Sequence, residues 1–327
     1  MNNIMFCSCG RRAQLFRYLK ESLQDTCQII ATDNSNIAPA LYLADRQYLV
    51  PRIDDPNYVQ TVLEIAKSND VKAITTLIDP EIEILASHRD VFEKEGILVL
   101  APSKETARHC FDKYDMFKYL HQNNVRTVLT YDSLEHFKEG YAKGEIRFPV
   151  FIKPRTGSGS VGIHKCNTQE ELDTHFREGK FDYIIQEFMD GGDCDADVYI
   201  DCFSHQPVAA FSKRKLETKI GGANKTISFK DPKLFAFIKE ICKVLEFNGP
   251  VDMDFWYKDG EYYLSEVNPR FGGAYLHAYG AGVDFFKLIQ RNMEGKTNEE
   301  QFGNYDDDVL MMMYDSVVIV KKDELAK

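Results

Sequence analysis

No stretch of this 327-residue chain is long and apolar enough to read as a membrane span. The start, MNNIMFCSCGRR, lacks the basic region and long apolar run of a secretory signal. Cytoplasm is therefore the expected compartment. CxxC pairs are also missing. The eight cysteines stand scattered at 7, 9, 27, 110, 166, 194, 202 and 242, which argues against zinc clusters and a thioredoxin-like site. Cys7 and Cys9, at the end of an apolar run, read as reduced structural thiols. Positive charge is in deficit: the formal net charge is -11 and the sequence pI about 5.3. That balance argues against a nucleic-acid surface, while allowing a local basic cleft. Internal repeats, low-complexity tracts and GxxxxGK[ST] are absent, and no GxGxxG follows the first strand, so neither the dinucleotide fingerprint nor the P-loop is indicated.

What is present suits two or three globular domains, at 44% hydrophobic and 28% charged. The first hundred residues alternate short apolar runs, ending at Cys9, Asp33, Ile53, Leu77 and Ala101, with the amphipathic stretches QLFRYLKESL and NYVQTVLEIAKS. That rhythm predicts βα units around a parallel sheet. Asp33 reads as a turn or capping residue rather than a ribose ligand. Arg11 and Arg12, beyond Gly10, read as surface arginines with an anionic substrate as the alternative. Pro102-Ser103 opens a new pattern, SKETARHCFDKYDMFKYLHQNN, expected as Ser-capped helix broken near Phe111-Asp112.

Three compact signals follow. In FPVFIKPRTGSGSVGIHKC, Lys153 sits on a buried-looking strand before a loop with Gly157, Gly159 and Gly162. Its amides can approach phosphates, and a buried ammonium needs an anionic partner. A plain hairpin is the competing reading. In DYIIQEFMDGGDCDADVYID, a strand reaches Gln186, and Phe188 and Met189 can clasp a flat base, with Glu187 or Asp193 as hydrogen-bond acceptors. A capped loop with solvated acids weighs equally. In AAFSKRKLETKIGGANKTISF, Lys213, Arg214, Lys215, Lys219 and Lys225 form a basic patch suited to an anion clamp.

SEVNPRFGG then sets Glu266, Asn268 and Arg270 at alternate positions, on one face if the backbone is extended. With the stretch before it, VDMDFWYKDGEYYLSEVN reads as two apolar and aromatic hairpin arms around Asp259-Gly260. A three-residue loop would bring Asp254 opposite Glu266; a two-residue loop would shift the pairing and flip the face. With the pairing, Asp254, Glu266 and Asn268 converge as oxygen ligands for Mg²⁺ or Mn²⁺, with Asp252 in reserve. His277, farther on, reads equally as a packed side chain or a substrate contact.

The order FIKPRTGSGSVGI, QEFMDG and DMDFWYKDGEYYLSEVNPRFGG resembles the ATP-grasp superfamily, specifically single-module ligases similar to the carbamoyl phosphate synthetase large subunit. The resemblance implies an α/β and α+β architecture, an ATP-grasp fold preceded by a small Rossmann-like parallel-sheet domain. It divides the chain into a preceding domain at 1–105, a grasp domain at 106–300 with its lid at about 125–188, and a C-terminal segment at 301–327 packing on the module. It further implies that Lys113 and Lys153 reach ATP, that Gly157, Ser158, Gly159, Ser160 and Gly162 form a phosphate lid, and that Glu187, Phe188 and Met189 form the adenine hinge. Asp193 matches the family's ribose-binding glutamate one methylene short. Asp254, Glu266 and Asn268 match its metal ligands, Arg270 its phosphate-stabilising residue, and Lys213 or Lys215 a position often held by arginine.

The implied activity is ATP-dependent ligation of a small carboxylate and an amine through an acyl phosphate, with ATP and Mg²⁺ or Mn²⁺ as cofactors. The alternatives are an ATP-dependent carboxylase, a small-molecule kinase, or a non-catalytic ATP-binding regulatory subunit. Small-molecule substrates are the expected partners, with neither nucleic acid nor membrane, and a homodimer is compatible.

Overall fold

The computed structural model describes residues 2–157, 161–219 and 222–326. Ser158, Gly159 and Ser160 of the expected lid, and Gly221 beside the basic strand, lie outside the described residues.

The chain opens with parallel strands β1 (Asn3–Cys7), β2 (Ile29–Asp33), β3 (Arg46–Leu49), β4 (Val71–Thr76) and β5 (Leu98–Val99), in the order β3-β2-β1-β4-β5. β1 and β2 are buried along their whole length because helices cover both sheet faces. On one face lie α1 (Ala13–Leu23) and helices from far along the chain. On the other lie α2 (Tyr58–Ser68) and α4 (Arg89–Glu93), which follows α3 (Asp79–Ser87). In α1 the buried Leu15, Phe16, Leu19 and Leu23 form one stripe, the 3.6-residue period that lets a helix cover a sheet.

The expected helix break is present. Ser103 caps α5 (Lys104–Phe111) by accepting from Thr106 N, and Asp112 caps α6 (Lys113–Gln122) by accepting from Tyr114 N and Asp115 N. A four-stranded sheet follows, β6 (Thr130–Tyr131), β7 (Val150–Pro154), β8 (His164–Cys166) and β9 (Tyr183–Glu187), in the order β6-β9-β7-β8. α7 (Leu134–Lys143) and α8 (Gln169–Glu178) contribute Phe137 and Leu172 to its core.

The largest sheet is antiparallel and runs β14-β13-β10-β11-β12-β15. Its strands are β10 (Gly192–Ile200), β11 (Pro207–Lys219), β12 (Gly222–Phe229), β13 (Gly249–Lys258), β14 (Glu261–Asn268) and the short edge β15 (Leu310–Met312). α9 (Pro232–Val244) and α6 cover its apolar face. α10 (Tyr275–Gly280) and α11 (Phe285–Met293) return to the first sheet, where Phe271, Tyr275 and Phe286 share one core with Ile4, Phe6 and Leu15. Among the described residues no helix is long and apolar enough to cross a membrane.

Candidate active site

β10 reads Asp-Cys-Asp-Ala-Asp-Val from residue 193, and its period of two sorts the strand cleanly. Cys194, Ala196 and Val198 enter the apolar core, so Asp193, Asp195 and Asp197 line the opposite face. Across the sheet Asp195 pairs with Lys213 on one side and Asp254 on the other, while Asp197 pairs with Phe211 and Asp252. The hairpin adds Glu266 opposite Asp254 and Asn268 opposite Asp252.

That register arises differently from the three-residue loop considered above. Lys258 pairs with Glu261, leaving a two-residue turn whose Asp259 and Gly260 both have positive φ. Such a turn would set Asp254 against Ser265. A bulge between Asp254/Phe255 on one strand and Leu264/Glu266 on the other leaves Ser265 as the extra residue and restores the pairing.

Salt links tie the face together. Lys213, expected as an anion-holding group, is instead fully enclosed, its Nζ 2.6 Å from Asp195 Oδ1 and 2.5 Å from Asp197 Oδ2. Burial opposes its charge, but the two aspartates outweigh burial and raise its pKa. With both partners at contact distance, Lys213 is a structural cation rather than a phosphate clamp. Lys215 lies at the rim, 2.5 Å from Asp254 Oδ1 and 2.9 Å from Asp193 Oδ1. Asp193, expected at the ribose, has its carboxylate engaged by Lys215. Burial works against ionising Asp254, yet Lys215 holds its carboxyl below the usual range.

Arg270 donates from Nε to Asp79 at 3.0 Å and from Nη1 to Asp252 at 3.2 Å. Against burial, these two carboxylates raise its pKa and fix it as a cation. Asp252 shifts upward, from burial first and then the charge of Asp254. Arg12 is not a surface arginine. It donates to the carbonyls of Phe271 at 3.0 Å and Gly272 at 2.6 Å, and burial with nearby Arg270 pushes its pKa down to about 10. His277 is packed: it is buried, with Nδ1 2.7 Å from Thr226 Oγ1.

The four-stranded sheet supplies the opposing side. Lys153 is buried on β7, and among the described residues it makes no ion pair. Burial lowers its pKa, and Lys113 lowers it too, against the charges of Glu266 and Asp254. Lys113 opens α6 and donates to Gly157 O at 2.6 Å. Gly157 and Gly162 both have positive φ, the backbone expected of a glycine loop. Of the expected hinge, Glu187 accepts from Leu129 N at 3.1 Å and Met189 is buried. The Phe188 ring stacks on Phe151 at 5.4 Å, with Lys165 Nζ 4.0 Å from its centroid.

Two clefts open here. One includes Asp79, Lys113, Gly157, Glu266 and Asn268 in its lining; the other includes Lys113, Gln186 and Glu266. Among the described residues no group of three or more His, Cys, Asp or Glu side chains is arranged to hold a metal. The donor set of Asp254, Glu266 and Asn268 nevertheless fits Mg²⁺, which takes one or two protein carboxylates and completes its shell with phosphate and water. Sequence reasoning overlooked Asp79, Asp195 and Asp197. The alternation in β10 was the available signal for the last two, whereas Asp79 carries none.

Comparison with known proteins identifies both parts of the chain. A family model described as PylC-like, N-terminal domain matches residues 4–100, and one described as ATP-grasp domain matches residues 110–274. The carbamoyl phosphate synthase arginine-specific large chain of Geobacillus stearothermophilus is 21% identical over 253 residues, covering 74% of this chain but 23% of that protein. The biotin carboxylase domain of 2-oxoglutarate carboxylase from Hydrogenobacter thermophilus, solved with MgADP and bicarbonate, superposes with a TM-score of 0.74 at 17% identity, covering 94% of this chain and 73% of that one. N5-carboxyaminoimidazole synthetase from Staphylococcus aureus, solved with ADP, gives a TM-score of 0.73 at 14% identity, covering 91% and 79%.

Proposed function

The chain belongs to the ATP-grasp family, and from that premise we propose that it uses ATP to phosphorylate a carboxyl oxygen, that of bicarbonate or a small carboxylate. The observation that carries this reading is Lys153, buried with no ion-pair partner among the described residues and within electrostatic reach of Lys113, Glu266 and Asp254. An unpaired buried charge is costly, and a nucleotide's phosphates are the anion that fits a position between two lysines and a carboxylate pair.

In this reading Lys153 and Lys113 bind phosphate oxygens. Arg270, kept charged by Asp79 and Asp252, presents a fixed cation to the transferring group. The carboxyl oxygen attacks the terminal phosphorus as the bond to ADP breaks, and a nucleophile then displaces inorganic phosphate from the mixed anhydride. A divalent ion held by Asp254, Glu266 and Asn268 would neutralise phosphate charge. The likeness to two carboxylase-type structures favours carboxylation of an acceptor over condensation of a carboxylate with an amine, reversing the order expected from sequence. The narrower kinship to the carbamoyl phosphate synthetase large subunit adds no preference beyond the shared module.

The test is oxygen tracing. Bicarbonate or a pool of carboxylic acids, each carrying ¹⁸O, is incubated with ATP and candidate acceptors, and the released phosphate is analysed by mass spectrometry. One ¹⁸O atom passing from bicarbonate into phosphate is the expected result. Transfer only from a carboxylic acid, with an amine required, assigns a ligase. A stable phosphorylated metabolite assigns a kinase, and nucleotide binding without ADP formation assigns a regulatory role. Absence of nucleotide binding by calorimetry overturns the reading.

A further inference from the structure

Lys215 stands where the proposed chemistry needs room. Its ammonium sits between carboxylates of two neighbouring strands, 2.5 Å from Asp254 Oδ1 and 2.9 Å from Asp193 Oδ1. Asp254 is the carboxylate that the β13–β14 register sets against Glu266. The ammonium occupies Asp254 Oδ1, and its positive charge repels a divalent ion approaching the same carboxylate. Without Lys215 the neighbouring acids would oppose one another's ionisation, so its charge neutralises the face at rest. Lys213 cannot serve this purpose reversibly: its side chain is 0% exposed against 14% for Lys215. Lys215, at the rim, has a path out of its pair.

We propose that Lys215 is an internal counter-cation that closes the divalent-ion position on Asp254 until nucleotide phosphate offers its ammonium another anion. A divalent ion arriving alone must compete with that ammonium for Asp254. A nucleotide removes that competition, so metal and nucleotide bind with positive coupling, each strengthening the other. The inference deepens the proposed function and rests on its assumption that phosphates reach this face.

Electron paramagnetic resonance of Mn²⁺ tests it without any turnover. Mn²⁺ alone is titrated into the wild-type chain, Lys215→Met, the charge-retaining Lys215→Arg, and Lys219→Gln farther along the same strand. Folding of each is checked by circular dichroism. Wild type, Lys215→Arg and Lys219→Gln are expected to bind Mn²⁺ alone weakly, and Lys215→Met at least about tenfold more tightly, the size expected when a close charge competitor is removed. Equal affinity in wild type and folded Lys215→Met overturns the inference. Micromolar one-site binding of Mn²⁺ alone by the wild-type chain also overturns it, an outcome that needs no variant. A parallel titration with MnADP separates the two readings. If MnADP binds wild type while Lys215→Met leaves Mn²⁺ affinity unchanged, the counter-cation role alone fails; if MnADP does not bind, the nucleotide reading fails with it.

Discussion

Lys153 and Lys213 are both enclosed by protein, yet Lys213 touches two aspartates and Lys153 has no ion-pair partner among the described residues. The same substitution should therefore act in opposite ways. Lys213→Met strands Asp195 and Asp197 as uncompensated buried charges and is expected to lower unfolding free energy by about 3–5 kcal/mol in urea titration. Lys153→Met removes a desolvated charge with nothing to lose, so stability should hold or rise. Its nucleotide affinity should fall at least about tenfold by calorimetry, the worth of one charge-assisted hydrogen bond. Nucleotide binding that survives Lys153→Met would remove that lysine from the site.

At the scale of elements, the hairpin shows how two local features fix one register. Asp259 and Gly260 form the tight turn, and the extra Ser265 returns the carboxylates to a common face. The turn that follows β14 is constrained by space. A Cβ on Gly272 would lie 2.6 Å from Asp197 Oδ1 and 2.9 Å from Asp252 Oδ1, whereas one on Gly280 in α10 meets nothing within 4 Å. Gly272→Ala is expected to destabilise by about 1–3 kcal/mol, the usual cost of overpacking. Gly280→Ala should be neutral or slightly stabilising, since alanine favours helix. Thermal unfolding of the pair checks this; equal melting temperatures would show that the sheet face yields to the added methyl group.

Across the whole molecule, the first domain and the large sheet meet through charge as well as through a common core. Arg12 holds the carbonyls of Phe271 and Gly272, and Asp79, at the start of α3, accepts from Arg270. The guanidinium proposed to meet the transferring phosphate is thus oriented by an element about 190 residues earlier in the chain. Asp79→Asn leaves Arg270 with Asp252 alone and is expected to cost about 1–3 kcal/mol of stability. It should also speed proteolytic cleavage between the first sheet and α5. Unchanged cleavage and melting would mean that the apolar core alone holds the two parts together.

Local chemistry in the sequence determined much of this. Alternating apolar runs and amphipathic stretches set the parallel sheet and its helices, because burial on both faces leaves that pattern in any α/β unit. Ser103 and Asp112 marked the helix starts through their capping oxygens. Asp259-Gly260 marked the hairpin. Alternation placed Glu266, Asn268 and Arg270 on one face of an extended segment, but the pairing of Asp254 with Glu266 hung on loop length. The two-residue turn keeps that pairing only through the bulge at Ser265, which was not foreseeable. What only the tertiary structure decided is which charge meets which. Lys213 and Lys215 share a strand face, and their identical side chains give no sign that one is enclosed by Asp195 and Asp197 while the other reaches Asp193 and Asp254 at the rim. Nor does sequence show that Arg12 and Asp79 reach the turn after β14. Hydrophobic periodicity and capping are set by neighbours along the chain, whereas ion pairing depends on distances of a few ångströms between strands and domains, which are fixed only when the sheets assemble.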